Sequence, residues 1–328
     1  MSAPIRIGIL GHGNLGRGVE LAIGKNPDMA LAGIFSRRDP ATITPAVAGT
    51  PVFPAAALLP ARTDIDVLIL CGGSRQDLPE QSPHHAAHYH VVDSFDTHAR
   101  IPGHFAAVDA AAAGSGHLAL IAAGWDPGLF SLQRVLAEAV LPEGRTHTFW
   151  GRGLSQGHSD AIRRVPGVAA GVQYTIPSET AMARARAGAD AGSAAGESHE
   201  RECFVVLEPG ADPEAVRAAI VGMPDYFAPY RTRVHFISAD ELAREHGAMP
   251  HGGVVIRSGR TRAGVDQRIE YQLQLDSNPE FTASVLVACA RAVHRLARAG
   301  RQGAHTVFDL PIGLFSPHSA EDLRKNYL

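Results

Sequence analysis

The apolar residues of the first 125 positions fall in short, nearly continuous runs separated by polar or glycine-rich stretches, the pattern of strands buried on both faces. Residues 5–10 (Ile-Arg-Ile-Gly-Ile-Leu) form the first run, and 29–35, 66–71, 90–96 and 118–122 repeat it. Helical spacing covers 15–25, while the Pro- and Ala-rich stretch 40–60 reads as loop and short helix. Strands alternating with helices predict an α/β chain with a Rossmann-type doubly wound parallel sheet. Ligands bind such sheets beyond the C-terminal strand ends, so residues 71–74, 93–96 and 124–128 are expected to converge on one crevice.

After Gly124-Trp125-Asp126-Pro127-Gly128 the period changes. Apolar and polar residues alternate over 202–208, 233–238, 253–258 and 268–276, and in the last of these Ile269, Tyr271, Leu273 and Leu275 share one face. This is a sheet with one wet face, and helical stretches at 212–221 and 239–245 make the second domain α+β. Residues 282–299 read as a long apolar helix, 187–198 as a mobile Ala- and Gly-rich loop, and 306–310 with the tail as a return to the first domain. The expected organisation is therefore 1–125, 126–300 and a returning segment 301–328.

Gly11-His12-Gly13-Asn14-Leu15-Gly16 has the G-x-G-x-x-G spacing and lies between the first strand and its helix. Gly11 permits a tight turn, Gly13 lets a pyrophosphate approach the backbone, and Gly16 lets helix and strand pack closely. The helix N-terminus adds free N–H groups for phosphate. At the end of the second strand, where NAD-binding chains usually carry Asp or Glu, stand Ser36, Arg37 and Arg38. Two guanidinium groups suit a dianionic 2′-phosphate, which predicts NADP(H) as cofactor.

Composition narrows the chemistry. The 328 residues exceed one typical core, 45% are hydrophobic, and a net charge of −3 gives no electrostatic case for a nucleic-acid partner. No apolar run is long enough to span a bilayer, so no membrane association is expected. The chain enters its first strand at once, so no signal peptide is expected and a cytoplasmic enzyme fits. Cys71, Cys203 and Cys289 are far apart, which suggests neither disulfides nor zinc. Lys25 and Lys325 are the only lysines, so acid–base chemistry falls to Asp, Glu, His, Tyr or water. His84, His85, His88 and His90 lack the Glu of a zinc motif and read as a solvated helix face; no metal is expected. Ser155, His158 and Asp160 form no nucleophile elbow.

Residues 34–38, 124–128, 149–160 (Phe-Trp-Gly-Arg-Gly-Leu-Ser-Gln-Gly-His-Ser-Asp), 249–253 (Met-Pro-His-Gly-Gly) and 278–284 (Asn-Pro-Glu-Phe-Thr-Ala-Ser) resemble the meso-diaminopimelate D-dehydrogenases. The likeness runs from the first strand to at least Ser284. It implies reversible NADP-dependent deamination of the D-centre of meso-2,6-diaminopimelate to L-2-amino-6-oxopimelate and ammonia, in lysine metabolism. It also implies a homodimer, with 126–300 as substrate-binding and dimerisation domain. Carried over residue by residue, it assigns the cofactor to Gly11, His12, Gly13, Asn14, Leu15, Gly16, Ser36, Arg37, Arg38, Cys71, Gly72, Gly73, Ser74, Asp93, Ser94, Phe95, Ala123, Gly124, Trp125, Asp126 and Pro127. It assigns the substrate to Asp96, Asp126, Trp150, Gln156, Gly157, Thr175, Arg201, His251 and Asn278. Of these, Asp96, Asp126 and Trp150 are the catalytic candidates, with Asp96, Asp126 and a bound water open as the base. His158 and Asp160 are expected to support the site from behind. The chain departs from the family at His12, where relatives often have Tyr.

Overall fold

The computed structural model describes residues 3–192, 195–224 and 226–328, the side chains of Gln156 and Ala195 excepted. Each early apolar run becomes a parallel strand, β1 Ile5–Leu10, β2 Met29–Ser36, β4 Val67–Leu70, β5 Val91–Asp93 and β6 Leu118–Leu120, and β3 Val52–Pro54 joins them. Helices α1 Asn14–Ile23, α2 Leu78–Ala86 and α3 Ile101–Ser115 alternate with them, and α4 Leu129–Val140 follows. The stretch 40–60 holds a strand as well as helical turns, contrary to the sequence reading. Pro51 and Pro54 mask β3 in the sequence, and proline is tolerated there because β3 is the sheet edge. Phe53 of β3 stacks on Phe35 at 5.3 Å, and Gly33 leaves room for it, since a Cβ there would lie 2.7 Å from the Phe53 ring.

The next segment builds two smaller sheets from β7 Gly144–Trp150, β8 Gly153–Leu154, β9 Val168–Pro177, β10 His199–Leu207, β11 Arg231–Phe236, β12 His251–Arg262 and β13 Val265–Leu275. Helices α5 Gln156–Arg163, α6 Glu179–Arg186, α7 Ala195–Ser198, α8 Pro213–Val221 and α9 Ala239–His246 intervene. One sheet runs β11-β10-β9-β8 and the other β13-β12-β7. Of the segment read as a mobile loop, residues 193 and 194 lie outside the described ones and α7 occupies its end. Next come α10 Asn278–Arg298, β14 Gly303–His305 and α11 Ala320–Tyr327. β14 closes the first sheet, whose order is β14-β6-β5-β4-β1-β2-β3, with the switch of direction at β1 and β4. The returning segment thus forms its strand at 303–305, while 307–309 is a short helical turn.

The chain divides into two compact units, one of residues up to Leu132 with Pro279–Leu328, the other Gln133–Asn278. The sequence places the changes at 125/126 and 300/301 instead. Nearly all of α10 belongs with the first unit, because Ala283, Leu286, Val287, Ala290 and Val293 join the core over β1 and β4. Gly18 of α1 permits this approach: a Cβ there would lie 2.9 Å from the Ala283 Cβ. Helical periodicity marks an apolar face but not which sheet it covers.

Arg291 of α10 is buried in this core and donates to both oxygens of Asp28 (2.6 and 2.8 Å), to Asn26 and to the Phe315 carbonyl. Asp28→Ala strands that guanidinium, and urea unfolding should show a loss of about 3 kcal/mol, the usual scale for removing one partner of a buried pair. The Arg291 hydrogen bonds also hold the Asp28 carboxyl below its ordinary value. Its contribution is therefore complete above that value and lost as pH falls through the depressed one, so the wild type should lose more stability than the variant below about pH 4.

Candidate active site

In the first unit the turn after β1 is shaped by close contacts. Gly11 has φ +94°, and a Cβ at Gly16 would sit 2.0 Å from the Gly11 carbonyl oxygen, so helix and turn meet with no side chain between them. A Cβ at Gly13 would meet nothing within 4 Å, which leaves the outside of the turn open. No side chain caps α1 and no acid lies in its first turn, so its start remains electropositive. Ser36 accepts the Arg38 backbone N–H, and the Arg38 guanidinium donates to the His12 carbonyl at 2.7 Å. Arg37 is exposed and paired with Asp77 at 2.7 Å. Open backbone, helix N-terminus and two arginines fit the pyrophosphate and 2′-phosphate of NADP(H).

His12 is buried and hydrogen-bonded to buried Glu20 at 2.8 Å. Burial alone would raise the Glu20 carboxyl, but N–H donors from Ala46 and Val47, with His12 and Thr50, outweigh it and hold it low. The pair fastens the 46–50 loop to α1.

The three expected strand ends do converge within this unit. Ser74 Oγ accepts the Asp96 backbone N–H at 2.8 Å, and Asp93 accepts the Ala122 N–H at 2.9 Å. Asp93 itself is fully buried and also accepts from Ser82, His104 and the Phe95 N–H, so its carboxylate serves the loops and has no surface for the cofactor. Phe95 is buried likewise, stacked on His104 at 4.0 Å. The Cys71 thiol is pushed up by burial, which leaves it un-ionised and unreactive. Asp96 is exposed and Asp126 half-buried. The 124–128 turn is tight: Gly128 has φ +131°, and a Cβ there would strike the Gly124 carbonyl.

The second unit gathers the other candidates by strand register. Gly153, Thr175, Arg201 and Thr232 lie in one row across β8, β9, β10 and β11. Along β10 the side chains of His199, Arg201, Cys203 and Val205 are buried and those between are not, so one core-facing row begins with two polar residues. Arg201 donates to Thr175 Oγ1 at 2.9 Å and lies over the Tyr230 ring at 3.7 Å, and its Nε has no partner. Among the described residues no carboxylate pairs with it. The His251 ring packs where a Cβ on Gly153 would be, 2.4 Å away, and the Asn278 N–H donates to the Met249 carbonyl nearby.

Trp150, at the end of β7, is partly exposed. Its backbone N–H donates to His199 Nε2 at 2.9 Å, and its ring stacks on the same imidazole at 5.4 Å. Burial pushes His199 down to about 4, with Arg201 adding to the shift, so the ring is neutral and accepts. Burial and Arg201 likewise take His158 to about 4, where its Nδ1 meets Ser155 Oγ at 2.8 Å. Asp160 pairs with Arg163, so Ser155, His158 and Asp160 form no relay. Gly157 is exposed with open space around it, and the Gln156 side chain lies outside the described ones.

Residues 124–277 match the diaminopimelic acid dehydrogenase C-terminal domain. The meso-diaminopimelate D-dehydrogenase of Ureibacillus thermosphaericus is 58% identical over 326 residues, covering 99% of this chain and 100% of the relative. The chain belongs to the meso-diaminopimelate D-dehydrogenase family.

Two solved structures are similar over 99% of this dehydrogenase chain and 100% of their own. One is a meso-DAP dehydrogenase mutant from Clostridium tetani E88 with DAP, at TM-score 0.92 and 49% identity. That protein carries substitutions of Gln, Thr, Arg, Pro, His and Asn; residues of those types at that spacing stand here at Gln156, Thr175, Arg201, Pro250, His251 and Asn278. The other is an engineered D-amino acid dehydrogenase bound to NADP⁺, at TM-score 0.86 and 47% identity. Reading the sequence of this dehydrogenase missed His199, Tyr230 and His104. A buried histidine on a strand has no signature of its own; only the odd-numbered alternation from His199 to Val205 hints at it.

Arg38→Ala removes a charged donor beside the glycine turn. The KM for NADP⁺ should rise about tenfold or more and that for NAD⁺ change little, the scale of a charge-assisted hydrogen bond. His199→Ala takes the acceptor and the stacking surface from Trp150; kcat should fall by roughly tenfold with the KM for NADP⁺ unchanged, in steady-state assays.

Proposed function

We infer that this chain catalyses NADP-dependent reversible oxidative deamination of the D-amino centre of meso-2,6-diaminopimelate, giving L-2-amino-6-oxopimelate and ammonia, within lysine and diaminopimelate metabolism. It is an oxidoreductase acting on CH–NH₂. Within that family assignment, Arg201 carries the substrate reading. Leaving a buried guanidinium without a carboxylate costs several kcal/mol, which a substrate carboxylate offsets. Thr175 and Tyr230 already fix its fork, so little side-chain order is lost when two parallel N–H···O bonds form.

In the forward direction the substrate ammonium loses a proton, the carbon loses a hydride, and water displaces nitrogen from the resulting imine as ammonia. Bound NADP⁺ supplies the hydride acceptor. Gly11, Gly13 and the start of α1 would hold its pyrophosphate, and Ser36, Arg37 and Arg38 its 2′-phosphate. Asp96 and Asp126, at the strand ends of the first unit, are proposed to hold the reacting ammonium, one of them taking its proton at a carboxylate oxygen, directly or through water. Trp150, braced by His199, is proposed as a flat wall that positions the substrate. Arg201 and Thr175, with Gln156, Gly157, His251 and Asn278, are proposed for the distal L-centre. Fixing the distal end chooses which amino group reacts.

No helix among the described residues is long and apolar enough to cross a membrane. A homodimer built on the second unit and a cytoplasmic location complete the reading, both supported by family resemblance.

NADPH formation should be rapid with meso-diaminopimelate and NADP⁺, and weak with NAD⁺ or with the LL-isomer, which has no D-centre. Arg201→Ala should raise the KM for the meso substrate by about tenfold or more, since it removes a bidentate charged contact. An unchanged KM would overturn the carboxylate role.

A further inference from the structure

The opposite ends of the first unit's parallel strands, away from the glycine turn, enclose a cavity of about 360 Å³. Asp66, His90 and His117, each immediately before β4, β5 or β6, line it together with His294 and Arg298 from the end of α10. None of these residues has a place in the dehydrogenase chemistry.

Cations outnumber acids there. Arg62 is held by both oxygens of Asp64 (2.9 and 2.6 Å), and Asp66 accepts the backbone N–H and guanidinium of Arg6 from β1 (2.7, 3.0 and 2.6 Å). Each carboxylate is matched by one arginine. Arg295 of α10 donates to the carbonyls of Leu314 and Ser316, and the Tyr89 hydroxyl donates to the Leu58 carbonyl. Arg298 has no carboxylate partner among the described residues, nor have the four imidazoles of His88, His90, His117 and His294. His84 of α2 meets only neighbouring rings, His88 among them at 5.9 Å. No group of three His, Cys, Asp or Glu among the described residues is arranged to hold a metal ion.

The His90 ring is oriented for donation. His90 Nδ1 accepts the Leu118 N–H at 2.9 Å, which places the neutral ring's proton on Nε2. His117 Nδ1 lies 2.9 Å from Ser115 Oγ, and its ring meets His90 edge-on at 5.2 Å. Burial takes His90 down to about 4, helped by His117 and His294, and burial then His88 lower His117. Burial also lowers His294, against the pull of Asp66. Burial and mutual proximity keep these imidazoles from charging, and a multiply charged anion beside them would favour their protonation.

We propose that this cavity binds a small multivalent oxyanion of the phosphate class, held by Arg298 and the His90, His117 and His294 imidazoles, with affinity rising as the rings take up protons. Inorganic phosphate is the probe, with thermal unfolding and calorimetry of the full chain in saturating NADP⁺ and chloride at equal ionic strength as reference. At equal concentration of the dianion, since phosphate itself gains a proton as pH falls, phosphate should raise Tm more at about pH 6 than at about pH 8, with Kd for the dianion weakening about tenfold per pH unit for each proton taken up by the rings. Arg298→Gln and His117→Gln should each abolish the shift while keeping wild-type turnover and unliganded Tm; His90 is spared because it satisfies Leu118. An equal shift at both pH values, or one that survives in Arg298→Gln, would overturn the proposal, as would stabilisation by Zn²⁺ but not by phosphate.

Discussion

The buried carboxylate of Asp93 is the constraint on which the first unit's crevice depends. A carboxylate with no exposure is tolerated only when its lone pairs are filled, and here the donors come from four places: Ser82 on α2, His104 on α3, and the Phe95 and Ala122 backbones. Each donor lies on a different element, so filling one side chain fixes the exits of β5 and β6 at once. The Asp96 loop is then tied to the exit of β4 through Ser74. Loops that would otherwise fray are set by a single desolvated group. The same exits carry Asp96 and the 124–128 turn.

The second unit uses the opposite device, a buried charge left incomplete. Arg201 occupies a core-facing position of β10, where an aliphatic residue would stabilise the sheet more. Thr175, one strand away in register, and the Tyr230 face hold the guanidinium without neutralising it. His199, two residues earlier on the same face, is kept neutral by burial and can therefore accept a hydrogen bond from the Trp150 backbone. One strand thereby places both a buried guanidinium and the imidazole that braces Trp150.

Much of this was legible from local sequence. The G-x-G-x-x-G turn is legible because its glycines answer to steric limits within a few residues: Gly16 meets Gly11, five positions away. Strands β1, β2, β4, β5 and β6 are legible because burial on both faces leaves unbroken apolar runs. β3 was not, since its prolines are acceptable only at an edge, and edge position is a property of the sheet. The histidines of 84–90 were read as a solvated face, yet His85 is buried and held near 4 by burial. Whether a polar residue is inside depends on what packs over it.

The sequence by itself determined the α/β alternation, the glycine turn after β1, the basic pair after β2, and the family. Each follows from spacing over a handful of residues or from a long distinctive run. Only the tertiary structure decided that α10 packs with the first unit, that Asp93 spends its carboxylate on loops, and that Arg201 has no anionic partner among the described residues. Those outcomes rest on hydrogen bonds and packing between residues up to 265 positions apart, as in the bond from Arg291 to Asn26. Hydrophobic period specifies a buried face; desolvation and hydrogen-bond completion among distant groups decide what that burial is for.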